Sequence, residues 1–340
     1  MRKFLLAVAL LLGIIFLIGQ FSEVQTILQT LQKGDWRYLS LAFLVQMAWM
    51  GCVAASYWVI YRLLNLQEKF SVLFNLAAAA NFVNVVAPTA GMGGMAVLVG
   101  HARQEEYSSG RAAIAGALFI LFDYLGFMSV LAIGIFVLFR RNNLTWVEVS
   151  ATLILVVIAV TLSVLLYLGT HSAEALGRAL AWIARRVNVF TRLFVKRDSL
   201  SENRAQEFAR DAAQGLMEIR AKPTNLLAPL GLALLNKLLL ITVFTLIFLS
   251  FDVPFTPGTI IAGFSVSYLF LIVSPTPSGI GVVEGILTLT LRSLNVPLGA
   301  AAVIALAYRG VSFWFPLIIG MFSFRIMGGS KNIDTPQEFV

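Results

Sequence analysis

Pro88-Thr89-Ala90-Gly91-Met92-Gly93 and Pro275-Thr276-Pro277-Ser278-Gly279-Ile280-Gly281 are two statements of one phrase. Each closes an apolar run, Val85-Val86-Ala87 in the first case and Ile272-Val273-Ser274 in the second, and each is followed by a shorter one. Proline has no amide to donate and glycine costs a helix about 1 kcal/mol relative to alanine, so each cluster ends one helix and starts another. The first returning arm runs only from Met95 to Gly100 before His101, Arg103, Glu105 and Glu106. Counted from Gly91 that is about 15 Å of helix. A bilayer core needs about 20 residues to cross. Ile280 to Leu291 is similarly short before Arg292. Both segments therefore read as re-entrant hairpins whose tips meet near the midplane, where irregular backbone survives only inside protein or beside a water-filled cavity. An ordinary tight loop between two full spans is the alternative.

The rest of the chain fits a membrane setting. Of 340 residues, 59% are hydrophobic and 12% charged, which places the chain among polytopic membrane proteins. Arg2-Lys3 followed by Phe4 to Ile18 starts like a signal peptide, but no small-x-small cleavage site follows, so an uncleaved first helix is expected. Cys52 is the single cysteine and excludes an internal disulfide. His101 and His171 offer no metal-ligand spacing. A net charge of +8 points to loops facing anionic lipid, not to nucleic acid.

The predicted fold is an all-α polytopic membrane protein with about six spanning helices and two re-entrant hairpins. The spans run over Phe4–Gly19, Tyr38–Tyr61, Ala112–Phe139, Val147–Gly169, Leu226–Phe251 and Ala300–Phe324, with hairpins over 70–100 and 256–291. A cytoplasmic N-terminus leaves only Lys33, Arg37, Arg140, Arg141 and Arg292 outside, and puts Arg2, Lys3, Arg62, Lys69, Arg103, Arg111, Arg325, Lys331 and ten basic residues between His171 and Pro223 inside. Both termini are then cytoplasmic, in the cytoplasmic membrane of a cell. The hairpins enter from opposite faces, as in an inverted-topology repeat. Tyr124-Leu125-Gly126 and Tyr308-Arg309-Gly310 echo one another after the two turns. The domains are thus a membrane half over 1–169, a basic segment over 170–223, a second half over 224–328 and a tail over 329–340. In the basic segment Ala175, Ala179, Trp182 and Ile183, then Phe208, Ala212, Leu216 and Ile219, recur at helical spacing. They predict helices lying on the membrane surface, or else a linker that enforces topology.

Asp123, Lys237, Glu284 and Arg309 are charged residues inside apolar stretches. Each costs at least about 2.5 kcal/mol at the bilayer centre, so they are expected to face a cavity or one another, with Arg309 and Glu284 as natural partners. They serve either a substrate path or packing alone. At the tips, a restarting helix offers free amides and a dipole that favours an anion such as a lipid phosphate. Gly91, Gly93, Gly279 and Gly281 allow close approach, while Thr89, Thr276 and Ser278 add hydroxyls. Asn81 and Asn84, just before the first tip, serve the ligand or interhelical hydrogen bonds. Pro88, Pro275 and Pro277 shape the tips. No Ser-His-acid or Cys-His pairing is available, so no enzyme is expected and no cofactor is implied.

The segment Pro275 to Gly285, with Glu284, followed by Tyr308-Arg309 and preceded by the Pro88 to Gly94 motif, resembles the lysylphosphatidylglycerol synthase transmembrane-region family. That family includes the flippase half of the bacterial multiple peptide resistance factor. The resemblance implies movement of a lipid across the bilayer, an aminoacylated phosphatidylglycerol in the resistance factor, and marks Pro275, Pro277, Gly279, Gly281, Glu284 and Arg309 as matching positions. Tyr124 stands where a basic residue is expected, and these residues hold no synthase domain, which leaves the cargo open. The expected function is an integral membrane lipid translocase whose partners are membrane lipids, with a homo-oligomer or a lipid-modifying enzyme also open. The alternatives are a scaffold that recruits such an enzyme, or a carrier of polyprenyl phosphates or hopanoids.

Overall fold

In the computed structural model the described residues are 25–86, 93–179, 181–182, 210–217, 219, 223–274 and 276–327, and among them the chain is all helix and turn. The main helices are α1 (Trp36–Leu63), α2 (Phe70–Val86), α3 (Gly93–Gln104), α4 (Ser109–Arg140), α5 (Trp146–His171), α6 (Leu227–Ser250), α7 (Pro257–Val273), α8 (Val282–Ser293), α9 (Leu298–Arg309) and α10 (Phe315–Ile326). α9 and α10 run on through a π-helical turn, Gly310–Trp314. Among the described residues five helices are long and apolar enough to cross a membrane: Trp36–Leu63, Ser109–Arg140, Trp146–His171, Thr224–Ser250 and Leu298–Ile326. The chain is a multi-pass membrane protein. The expected span Phe4–Gly19 and the tail over 329–340 lie outside the described residues.

Local chemistry sets the ends. Asp35 caps α1 through the Arg37 amide at 2.9 Å, Thr256 caps α7 through the Thr259 amide at 3.2 Å, and Thr145 and Glu148 form a capping box on α5. The π turn has its cause in Pro316. A proline cannot donate back to Ser312, so the ladder slips and the Phe315 amide donates to the Gly310 carbonyl.

The second hairpin is present as helix, break, helix; in the first, α2 and α3 pack together and the residues between them, 87–92, lie outside the described residues. Each has a 17-residue outgoing arm, α2 or α7, and a 12-residue return, α3 or α8. Those lengths are about 25 Å and about 18 Å, short of a bilayer core of about 30 Å. The corners repeat as well. Asn65 after α1 and Asp252 after α6 adopt positive φ of 54° and 51°, and Glu106 after α3 and Asn295 after α8 adopt 59° and 68°. The same long-loop bond closes each corner, Leu66 to Tyr61 matched by Val253 to Phe248, and Tyr107 to Ala102 matched by Val296 to Leu291.

Packing between the halves is reciprocal. α2 lies along α10, the helix that follows the other hairpin, and α7 lies along α4. Each crossing runs through a glycine that meets the middle residue of the arm, Gly320 against the Ala78 carbonyl and Gly134 against Ser265. Lipid tails are as apolar as leucine, so close approach of small residues is what holds such helices together. α1 and α6 pack along each other between the hairpins, and each hairpin has its own apolar core.

The polar segment departs from expectation. Ala212, Leu216 and Ile219 are buried, but in the protein core with Leu64 and Leu66, because Asp211 accepts from the Ser108 hydroxyl at 3.0 Å and holds that helix on the first half. In the preceding helix Leu176 is buried, Ala175 and Ala179 only partly, while Trp182 is exposed. Ile183 and Phe208 lie outside the described residues.

Candidate functional site

The four intramembrane charges form two pairs. Arg309, 3% exposed, donates its Nε to Glu284 Oε1 at 2.5 Å and its Nη2 to the Ser278 carbonyl at 3.0 Å, with its guanidinium over the Phe313 ring. One side chain of α9 thereby holds the tip of the second hairpin and the first turn of its return arm. Ser278 has φ of 50°, and Gly279 and Gly281 have 72° and 77°, the left-handed region where glycine is at no steric cost. Thr276 shares a hydrogen bond with the Ser274 hydroxyl at 2.9 Å, so its Oγ1 serves the turn. Gly281 gives α8 no side-chain cap, and Glu284 in that first turn already sets a carboxylate against the helix dipole. Glu284 Oε2 is buried without a partner among the described residues.

The second pair lies between the halves. Lys237 on α6, 1% exposed, donates to Asp123 Oδ1 and to Tyr268 Oη, both at 2.5 Å, and lies 3.9 Å from the centre of the Tyr268 ring. Tyr268 donates to Asp123 Oδ2 at 2.8 Å. α4, α6 and the outgoing arm α7 meet in this triad. Tyr268 was missed in the sequence because a tyrosine in an apolar helix carries no charge to mark it; Lys237 and Asp123 were marked by theirs.

Asp123 also lines a small space, with room for about one water, together with Ser56, Ile60, Phe119, Phe122, Pro229, Ala233 and Asn236. Ser56 donates to the Cys52 carbonyl at 3.0 Å, and Asn236 Oδ1 has no partner among the described residues although the residue is 2% exposed. Trp49 stands as far before the first hairpin as Asn236 does before the second, and its buried Nε1 likewise lacks a partner.

At the first hairpin, Asn84 Oδ1 accepts from the Gly94 amide at 2.6 Å. Asn84 therefore caps the return helix across the break, one of the amides assigned in the sequence to a ligand. Gly93 is buried at the start of α3, and Asn81 is exposed on α2. Pro88, Thr89 and Gly91, and Pro275 at the other tip, lie outside the described residues. α2 lies beside the second tip, Pro277–Gly279, so the two hairpins adjoin there. Among the described residues no three His, Cys, Asp or Glu side chains converge as metal ligands.

The family profile described as lysylphosphatidylglycerol synthase TM region matches residues 4–320, nearly the whole chain. The chain belongs to that family. It is also similar to a UPF0104 membrane protein of Methanothermobacter thermautotrophicus, with 23% identity over 333 residues covering 96% of this chain and 95% of that protein. In this member of the lysylphosphatidylglycerol synthase TM family, the matched region contains both hairpins and both charge pairs.

Proposed function

We propose that the protein is a lipid translocase that passes a polar head group between leaflets while the acyl chains stay in the bilayer. The observation that carries this reading is the Lys237–Asp123–Tyr268 triad, which ties α4 and α6 to α7, a hairpin arm too short to span, beside a small space that Asp123 and Asn236 line. Charges buried at this depth are costly, and where they face a cavity they mark a path for a polar solute. In this reading the hairpins are re-entrant and enter from opposite faces, as in transporters built from inverted repeats. The repeated corners, arms and reciprocal crossings support it. Membership of the family supports a lipid as the cargo.

The geometry divides the labour between the pairs. Arg309 donates to Glu284 on the return arm and to the Ser278 carbonyl at the tip, so it shapes the path; Asp123, backed by Lys237, borders the small space and meets the head group. Reconstitution tests the reading. Vesicles carrying the protein scramble a fluorescent phospholipid between leaflets faster than empty vesicles, as followed by bleaching of the outer leaflet. Equal rates with and without protein, across anionic, zwitterionic and polyprenyl-phosphate probes, contradict it. The alternative is a scaffold whose basic segment from Arg185 to Arg220 recruits a lipid-modifying enzyme; deleting part of 171–222 separates the two, since lipid exchange survives that deletion and recruitment does not.

A further inference from the structure

Asp123 and Tyr268 surround the Lys237 ammonium with the groups that suit a small monovalent cation. It meets a carboxylate oxygen, a phenol oxygen and, at 3.9 Å from its centre, the Tyr268 ring. Tyr268 in turn donates to Asp123 Oδ2, which holds both oxygens in place around the charge. The groups come from α4, α6 and the short arm α7, so the cation ties the second hairpin to the first half. In transporters built from inverted repeats, coupling ions are bound near the midplane beside broken helices. Here the cation at such a place is covalently attached to α6.

Charge decides what else can enter. A coupling cation needs an acid that no fixed charge already balances. Tyr57, Tyr124 and Cys52, the other titratable groups near the pair, are neutral near pH 7, so Asp123 and Lys237 balance one another. A sodium ion or a proton added to the pair leaves an uncompensated positive charge in the interior, which is strongly unfavourable. Glu284 is balanced by Arg309 in the same way. The remaining acid in the predicted spans and hairpins is Glu148, at the start of α5 and committed to its capping box. Resting on the translocase reading, we infer that Asp123 and Tyr268 form a monovalent-cation site that the chain fills with its own Lys237 ammonium, so that the lipid crosses without a coupling ion and equilibrates between the leaflets.

The test uses the full chain in two arms. In vesicles, wild-type exchange of fluorescent phosphatidylglycerol proceeds at one rate in sodium, potassium or choline salts. With the membrane potential held at zero by equal potassium on both sides and valinomycin, an imposed sodium or pH gradient leaves the probe evenly distributed. In detergent, Lys237→Ala opens the site and lowers Tm. Propylammonium supplies the atoms that lysine loses beyond Cβ, so it raises the Tm of the variant increasingly with concentration and leaves the wild type unmoved. In vesicles the same amine restores lipid exchange to the variant at least about tenfold, a barrier change of about 1.4 kcal/mol. Propanol, the uncharged counterpart, does neither, and the double variant Lys237→Ala, Asp123→Ala responds to no amine. Probe accumulation driven by a sodium or pH gradient overturns the inference, as does a Lys237→Ala variant whose Tm propylammonium does not move. Where Lys237→Ala does not survive purification, the gradients on the wild type decide. Amine-dependent Tm in the variant, without exchange of any lipid by the wild type, keeps the cation site and removes the translocase; gradient-driven exchange does the reverse.

Discussion

Lys237 and Arg309 meet their acids in different ways, and the difference is testable. Lys237 pairs with Asp123, so Lys237→Met leaves that half-buried carboxylate without its cation and with Tyr268 as its remaining donor, at a cost below the roughly 3–5 kcal/mol of a fully buried pair. Thermal unfolding in detergent then shows a lower Tm. A second substitution, Asp123→Leu, restores much of it, since replacing a whole buried pair by apolar groups is close to neutral. A double variant no more stable than the single one contradicts the pairing. Arg309 bridges Glu284 Oε1 and the Ser278 carbonyl, which a compact lysine ammonium cannot do at once. Arg309→Lys therefore lowers lipid exchange at least about tenfold, equivalent to about 1.4 kcal/mol in the barrier, although the charge is kept. Unchanged exchange in that variant argues that the tip needs no fixed shape. All four charged residues were legible in the sequence because charge is rare in apolar runs. Tyr268 and the cap role of Asn84 were not, since each is defined by a partner that only tertiary closure brings near.

Among elements, the hairpins were readable as helix, break, helix because proline and glycine act locally. Their depth of packing was not readable, because it rests on which glycine meets which arm. Gly134→Leu and Gly320→Leu each force an arm away from its crossing helix, and overpacking of this kind costs about 1–3 kcal/mol. Both lower Tm, whereas a leucine at Gly51, where an added Cβ meets nothing within 4 Å, leaves it unchanged. Asn84→Ala removes the cap on α3 at a cost of about 1 kcal/mol. Hydrogen exchange at Gly94 and the following turn accelerates accordingly, while Asn84→Asp, which keeps an acceptor, retains protection. The π turn follows from Pro316, but its effect needs the continuous helix Leu298–Ile326 to be known first.

For the whole molecule, the echo of Pro88 and Pro275 in the sequence is accompanied by matching corners, arm lengths and crossings, which the translocase reading takes as one repetition. The corners were illegible because Glu106 and Asn295, or Asn65 and Asp252, share a backbone conformation and no residue type within the first pair. The translocase account needs this repetition to lie across a bilayer with the tips at its middle. Depth at the second tip measures that directly. With Cys52 replaced by serine, a spin label on Ser278→Cys is read for collision with oxygen, which concentrates in the hydrocarbon, and with a water-soluble nickel chelate. The account predicts a label near the bilayer centre, with high oxygen contact and with nickel contact no greater than a narrow polar path permits. A label as open to the chelate as one placed on the loop at Asn142 would mean that the tip sits in bulk water, and would contradict it.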